Sequence, residues 1–117
     1  ALCGNTSFVE GRFHATEHAV VVASQEGINT RWLFYALANL NLNSFATGQA
    51  QPGLSVRVLE VVVCRVPNEE KEQRMIADCL SALDTRIAAQ VEKLDALRTH
   101  KRGLMQQLFP KLAEVGA

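Results

Sequence analysis

The chain has 117 residues, 48% of them hydrophobic and 21% charged, and its 12 Lys and Arg offset 12 Asp and Glu. That balance excludes a disordered chain, and zero net charge argues against a binder that depends on a strongly basic surface. No apolar run approaches the roughly 20 residues of a membrane span, and no signal-peptide pattern opens the chain. Cys3, Cys64 and Cys79 are odd in number and widely spaced, without C-x-x-C, so they read as reduced thiols of a cytoplasmic protein.

In chain order, Ala1 to Glu10 has no clean period and no capping signal, and looks like the interior of a domain. Phe13 and His14, followed by Ala19-Val20-Val21-Val22, predict a strand, and the Val run is long enough for burial on both faces. Ser24 to Gly27 is turn-like, and Asn29 or Thr30 can cap a short helix through Leu40. Trp32, Leu33, Tyr35, Ala36 and Leu40 would supply its apolar face. Asn41 to Gln51 is polar and leads to the turn dipeptide Pro52-Gly53. Leu59, Val61, Val63 and Val66 read as another strand, closed by Pro67. The fold class is therefore expected to be α+β, with a partial mixed α/β domain at residues 1–66.

Residues 67–110 read as one long helix, and 111–117 as a frayed tail. Asn68 is placed to cap the helix, with Glu69, Glu70 and Glu72 in its first turns. Ile76, Leu80, Leu83, Ile87, Gln90, Leu94, Leu97, Lys101, Leu104 and Leu108 recur at alternating four- and three-residue steps. That is the seam of a coiled coil, and about forty helical residues at 1.5 Å each would make a rod about 60 Å long. Sixty-six preceding residues are too few to cover it, so another helix must. Residues 69–84 carry five acids against two bases, whereas residues 93–111 carry five bases against one acid. Two such helices match charges only when antiparallel. Antiparallel pairing is therefore expected; in a twofold dimer of that kind Gln90 would lie near the axis, and Lys101 would snorkel or mark a frayed layer. Gly103 weakens the helix by roughly 1 kcal/mol against Ala.

Several short motifs have both a chemical and a plainer reading. His14-Ala-Thr-Glu17-His18 matches the H-x-x-E-H pattern of inverted zinc peptidases, which needs a helix to bring both histidines to one metal. On the strand expected here the two rings would lie about 13 Å apart at roughly 3.3 Å per residue, so no metal site is assigned. Thr47-Gly48-Gln49-Ala50-Gln51-Pro52-Gly53 lacks the Lys of a phosphate-binding loop and reads first as a tight turn. Its glutamines nevertheless suit bidentate contact with adenine. Arg12, Arg31, Arg57 and Arg65 could meet phosphate or guanine, although each is more simply a solvated charge. Trp32, Phe34 and Tyr35 fit a core better than a stacking platform. No nucleophile–base set and no cofactor loop is present, so neither a catalytic residue nor a cofactor is assigned.

Three ordered stretches carry a family resemblance. They are Gly11-Arg-Phe-His-Ala-Thr-Glu-His-Ala-Val-Val-Val22, then Asn41-Leu-Asn43 with Ala46-Thr-Gly-Gln-Ala-Gln-Pro-Gly-Leu-Ser55, then Val66-Pro67 with Glu72-Gln73 and Ile76-Ala77. The helix adds Leu83-Asp84, Lys93-Leu-Asp-Ala-Leu97 and Lys101-Arg-Gly-Leu-Met-Gln-Gln-Leu-Phe-Pro110. Together they resemble the specificity subunit of type I restriction–modification systems. In that family two target recognition domains each read half of a split DNA site. Each is followed by a long helix, and the two helices pack antiparallel as a spacer and a dock for methyltransferase subunits. The resemblance implies a non-catalytic DNA-specificity component with double-stranded DNA and methyltransferase subunits as partners. It matches the later part of one recognition domain plus one helix, as a fragment or half-subunit would, and one helix in place of two implies an antiparallel homodimer. The residues expected to face DNA are Arg12, His14, Thr47, Gln49, Gln51 and Arg57. A competing expectation is a helical interaction module that binds no DNA and complements another specificity subunit.

Overall fold

Helix α1 (Thr30–Asn39) begins where the Asn29 side chain accepts a hydrogen bond from the Trp32 N–H at 2.9 Å. Asn29 is extended at φ −71° and ψ 123°, the usual backbone of a capping residue, and its carbonyl accepts from Leu33 N–H. The helix stops at Leu40 because Asn41 turns left-handed, with φ 50°. A 3-10 turn, Leu42–Phe45, follows and buries Leu42. Helix α2 (Val56–Leu59) is a single turn capped by the Ser55 hydroxyl, which accepts from Val58 N–H at 3.3 Å. Helix α3 spans Glu70–Leu108, 39 residues without interruption.

The computed structural model describes residues 3–48 and 53–111. They divide into two units, Ala1–Leu80 and Ser81–Ala117, with α3 running through the boundary. The first unit has a small core: Trp32, Leu42, Ala77 and the polar Gln73 are its buried side chains among the described residues. Gln73 and Ala77 lie one helical turn apart in the first part of α3, and each is only 1% exposed. Phe8 and Phe34 meet edge to face at 6.0 Å, Phe34 meets Tyr35 at 5.0 Å, and the Arg31 guanidinium lies 4.8 Å above the Phe8 ring.

Among the described residues the structure is mostly helical, with one long helix and almost no strand. Among the described residues the only β pairing is an isolated antiparallel bridge, Thr47 with Gly53, whose two N–H···O bonds are both 2.9 Å. The segment from Phe13 to Val22 is irregular and exposed, with a turn in which Ala19 N–H donates to Thr16 at 3.0 Å. Leu59 belongs to α2, and Val61, Val63 and Val66 follow on irregular, exposed chain. A strand exists only when a neighbour takes its backbone N–H and C=O groups. Alternating valines announce a surface that wants covering and do not supply that neighbour. At Val58 and Leu59 the backbone N–H groups find local partners in Ser55 instead.

The second unit holds α3 from Ser81 onward. Its 3-4 seam is exposed: Leu83 is 48%, Ile87 60% and Leu97 57% accessible. Thr85 Oγ1 donates back to the Ser81 carbonyl at 3.1 Å, and Phe109 N–H donates to Met105 to finish the last turn. Among the described residues no helix is both long and apolar enough to cross a membrane.

Candidate nucleic-acid interface and helix seam

The residues expected to face DNA are scattered in their local settings. Arg12 and His14 are exposed on the irregular segment after Glu10, and Arg57 is exposed on α2. Thr47 is exposed and pairs with Gly53, with Oγ1 donating to the Gly53 carbonyl at 3.5 Å beside the two backbone bonds. Gly48 takes φ 101°, a backbone that favours glycine. Gln49 and Gln51 lie outside the described residues. Among the described residues no hydrogen bond or ion pair joins Arg12, His14, Thr47 and Arg57 to one another.

His14, Glu17 and His18 sit on irregular chain with a turn at 17–18, not on the helix that an H-x-x-E-H zinc site requires. Trp32 is buried, and Phe34 and Tyr35 are half-buried in the cluster with Phe8, so these aromatics pack rather than form an open stacking surface. Arg31 belongs to that cluster through its contact with Phe8.

The residue that sequence reasoning missed is Gln73. Its Oε1 accepts from the Asn29 N–H at 2.7 Å, and its Nε2 donates to the carbonyls of Gly27 at 3.2 Å and Pro67 at 3.1 Å. One carboxamide thus satisfies three backbone groups from two loops, using both N–H donors and its oxygen. It fixes the segment before α1 and the segment before α3 to the same helical turn. A signal was present: one heptad back from Leu80, the seam lands on Gln73. A second tie joins Cys3, whose carbonyl accepts from Asn43 Nδ2 at 2.9 Å, to the Asn41–Asn43 stretch.

The seam residues all lie on α3, each one turn from the next. Leu83, Ile87, Gln90 and Leu94 line an open shallow groove with Arg86 and Val91. Ile76 is exposed and Leu80 half-buried in the first unit, whereas Leu94, Lys101, Leu104 and Leu108 are exposed in the second. Apolar side chains left exposed along one helix face, interrupted by the polar Gln90 and Lys101, invite a partner.

The chain matches a family model described as the type I restriction modification DNA specificity domain, over residues 1–99. It is 48% identical over 85 residues to the type I restriction enzyme EcoprrI specificity subunit of Escherichia coli, covering 73% of this chain and 21% of that protein. It is 32% identical over 75 residues to a putative type I restriction enzyme specificity subunit of Haemophilus influenzae, covering 62% of this chain and 20% of that protein. No solved structure matches at a significant level. The chain spans about one fifth of the length of these curated relatives.

Proposed function

The chain belongs to the type I restriction modification DNA specificity domain family, and from that premise we propose that it is a non-catalytic DNA-specificity component, a fragment or half-subunit, of such a complex. Residues 1–66 would belong to one target recognition domain and meet double-stranded DNA. Residues 67–110 would be the spacer helix that pairs antiparallel with another helix and docks methyltransferase subunits. Methyl transfer and cleavage would reside in those partners, in the cytoplasm.

The observation that carries this reading is α3: a family member with one unbroken helix of 39 residues whose apolar seam is exposed. A rod with a sticky edge is suited to holding recognition elements at a set separation. The Gln73 contacts support a coupling of that rod to the loops around Gly27 and Pro67, because all of them are made by the first turns of the same helix. The exposed valines at 20–22, and Val61 and Val63, support the finer expectation of sheet structure completed by other parts of the assembled specificity subunit.

Titrating the protein against random and cognate-like duplexes at low salt tests DNA binding. Binding that weakens steeply as salt rises is expected, since phosphate contacts release counterions. Absence of any binding at low salt would favour the second reading, a helical module that complements another specificity subunit. One observation favours that alternative: residues 1–66 carry four Arg against four Glu, with no net positive charge to draw phosphate.

A further inference from the structure

We propose that the loop 24–28, which leads into α1, is a base-reading element. Its tip residues Gln25 and Glu26 meet base edges in the major groove of duplex DNA, Gln25 on adenine and Glu26 on cytosine. The proposal rests on the DNA-recognition role proposed above for residues 1–66, and it adds the side chains that discriminate sequence.

The loop is held at its base, in its turn and from α3. Ser24 Oγ and Thr30 Oγ1 lie 2.5 Å apart and close it across the base. Ile28 N–H donates to the Gln25 carbonyl at 3.1 Å, a turn around Glu26 and Gly27 in which Gly27 takes φ 80°. Gln73 of α3 donates to the Gly27 carbonyl at 3.2 Å and accepts from Asn29 N–H at 2.7 Å. The Asn29 side chain then continues into the α1 cap at Trp32. Surface loops ordinarily move. This one is pinned by an amide that is 1% exposed, and a loop fixed before its ligand arrives has less order to gain on binding.

None of those bonds uses the side chain of Gln25 or Glu26. Both residues are exposed, and neither side chain has a hydrogen bond or ion pair among the described residues. A Cβ built on Gly27 would meet nothing within 4 Å, so the tip is open to close approach. The two residue types select the ligand. A carboxamide gives and takes a hydrogen bond at once, as adenine N7 and N6 require, and a carboxylate accepts from the cytosine N4 amine. Glu26 has the wrong sign for a phosphate, so the tip meets a duplex through its base edges and not its backbone. The contrast with Arg12 and His14 is direct: they are exposed on irregular chain without a comparable anchor among the described residues. Bases are discriminated by side chains held in place, and Gln25 and Glu26 meet that condition.

Selection from a pool of duplexes with a randomised segment, carried out at low salt with the full chain, tests the assignment. The unaltered chain is expected to enrich a preferred sequence. Gln25→Ala should lower the preference for adenine at one position about tenfold, and Glu26→Ala the preference for cytosine at another. Affinity for the unselected pool should not fall in either variant, because phosphate contacts carry it. Melting temperatures should stay unchanged, since neither side chain has a partner to lose. Gln25→Glu gives a readout that a structural role would not move: adenine should give way to cytosine at the same position. It also serves if Gln25→Ala does not fold. Variants that enrich the same sequence with the same discrimination overturn the loop assignment and leave DNA recognition standing. Binding by the unaltered chain without any enrichment also overturns the assignment. No binding at low salt overturns the DNA-recognition reading, and the loop assignment falls with it.

Discussion

The backbone N–H of Asn29 donates to Gln73 Oε1 at 2.7 Å across 44 residues of sequence, while the Asn29 side chain caps α1 through Trp32. One residue therefore starts the short helix and fastens it to the long one. Gln73 answers with two further bonds, to Gly27 and Pro67, so the joint between loops and helix is a single buried amide.

Gln73→Ala strands three backbone groups in a site that is 1% exposed. The expected cost is about 1–3 kcal/mol, the usual penalty for a buried polar group left without its partner. Chemical denaturation followed by circular dichroism measures it, and a change within error of zero would show that water replaces the amide freely. Gln73→Glu is expected to be no better, because a carboxylate cannot donate to the Gly27 and Pro67 carbonyls.

Two glycines should respond in opposite directions to alanine. Gly4 has φ +84°, and a Cβ there would run into the Asn43 backbone. Gly4→Ala is therefore expected to destabilise by about 1–2 kcal/mol from the left-handed backbone alone, and by more from the collision. Gly103 lies in α3 with nothing within 4 Å of its would-be Cβ, so Gly103→Ala should stabilise the helix by roughly 1 kcal/mol. Paired thermal melts check both, and a destabilised Gly103→Ala would mean that another chain packs closely at that point.

Asn29→Ala removes the α1 cap and is expected to cost about 1 kcal/mol. Amide hydrogen exchange should show faster exchange at Trp32 and Leu33 than in the unaltered chain. Unchanged exchange there would indicate that the Gln73 contact alone holds the start of α1.

Legibility in the sequence follows the physics of each element. The long helix can be read because its period persists along most of its 39 residues and needs no information from elsewhere. Helix α1 is readable at its start because Asn29 carries its own cap. The valine segments at 19–22 and 59–66 mislead because alternation records which faces seek cover, while strand formation depends on a neighbour the pattern does not name. Arg31 has the chemistry of a phosphate contact, but its partner, Phe8, is 23 positions away and no periodicity links them. Gln73 is hidden by its polarity: at a seam position it resembles the solvent end of the rod, whereas its amide is a buried peg. Among the described residues expected to face DNA, Thr47 is held by hydrogen bonds to Gly53 and Arg57 lies on α2.

Cover of the apolar edge of α3 by a counter-running copy is tested most directly by light scattering coupled to size-exclusion chromatography at micromolar concentration. The expected result is a particle of twice the 12.8 kDa chain mass, weakened when Leu94 is replaced by Glu. A monomer across that concentration range, insensitive to the Leu94→Glu change, would contradict it.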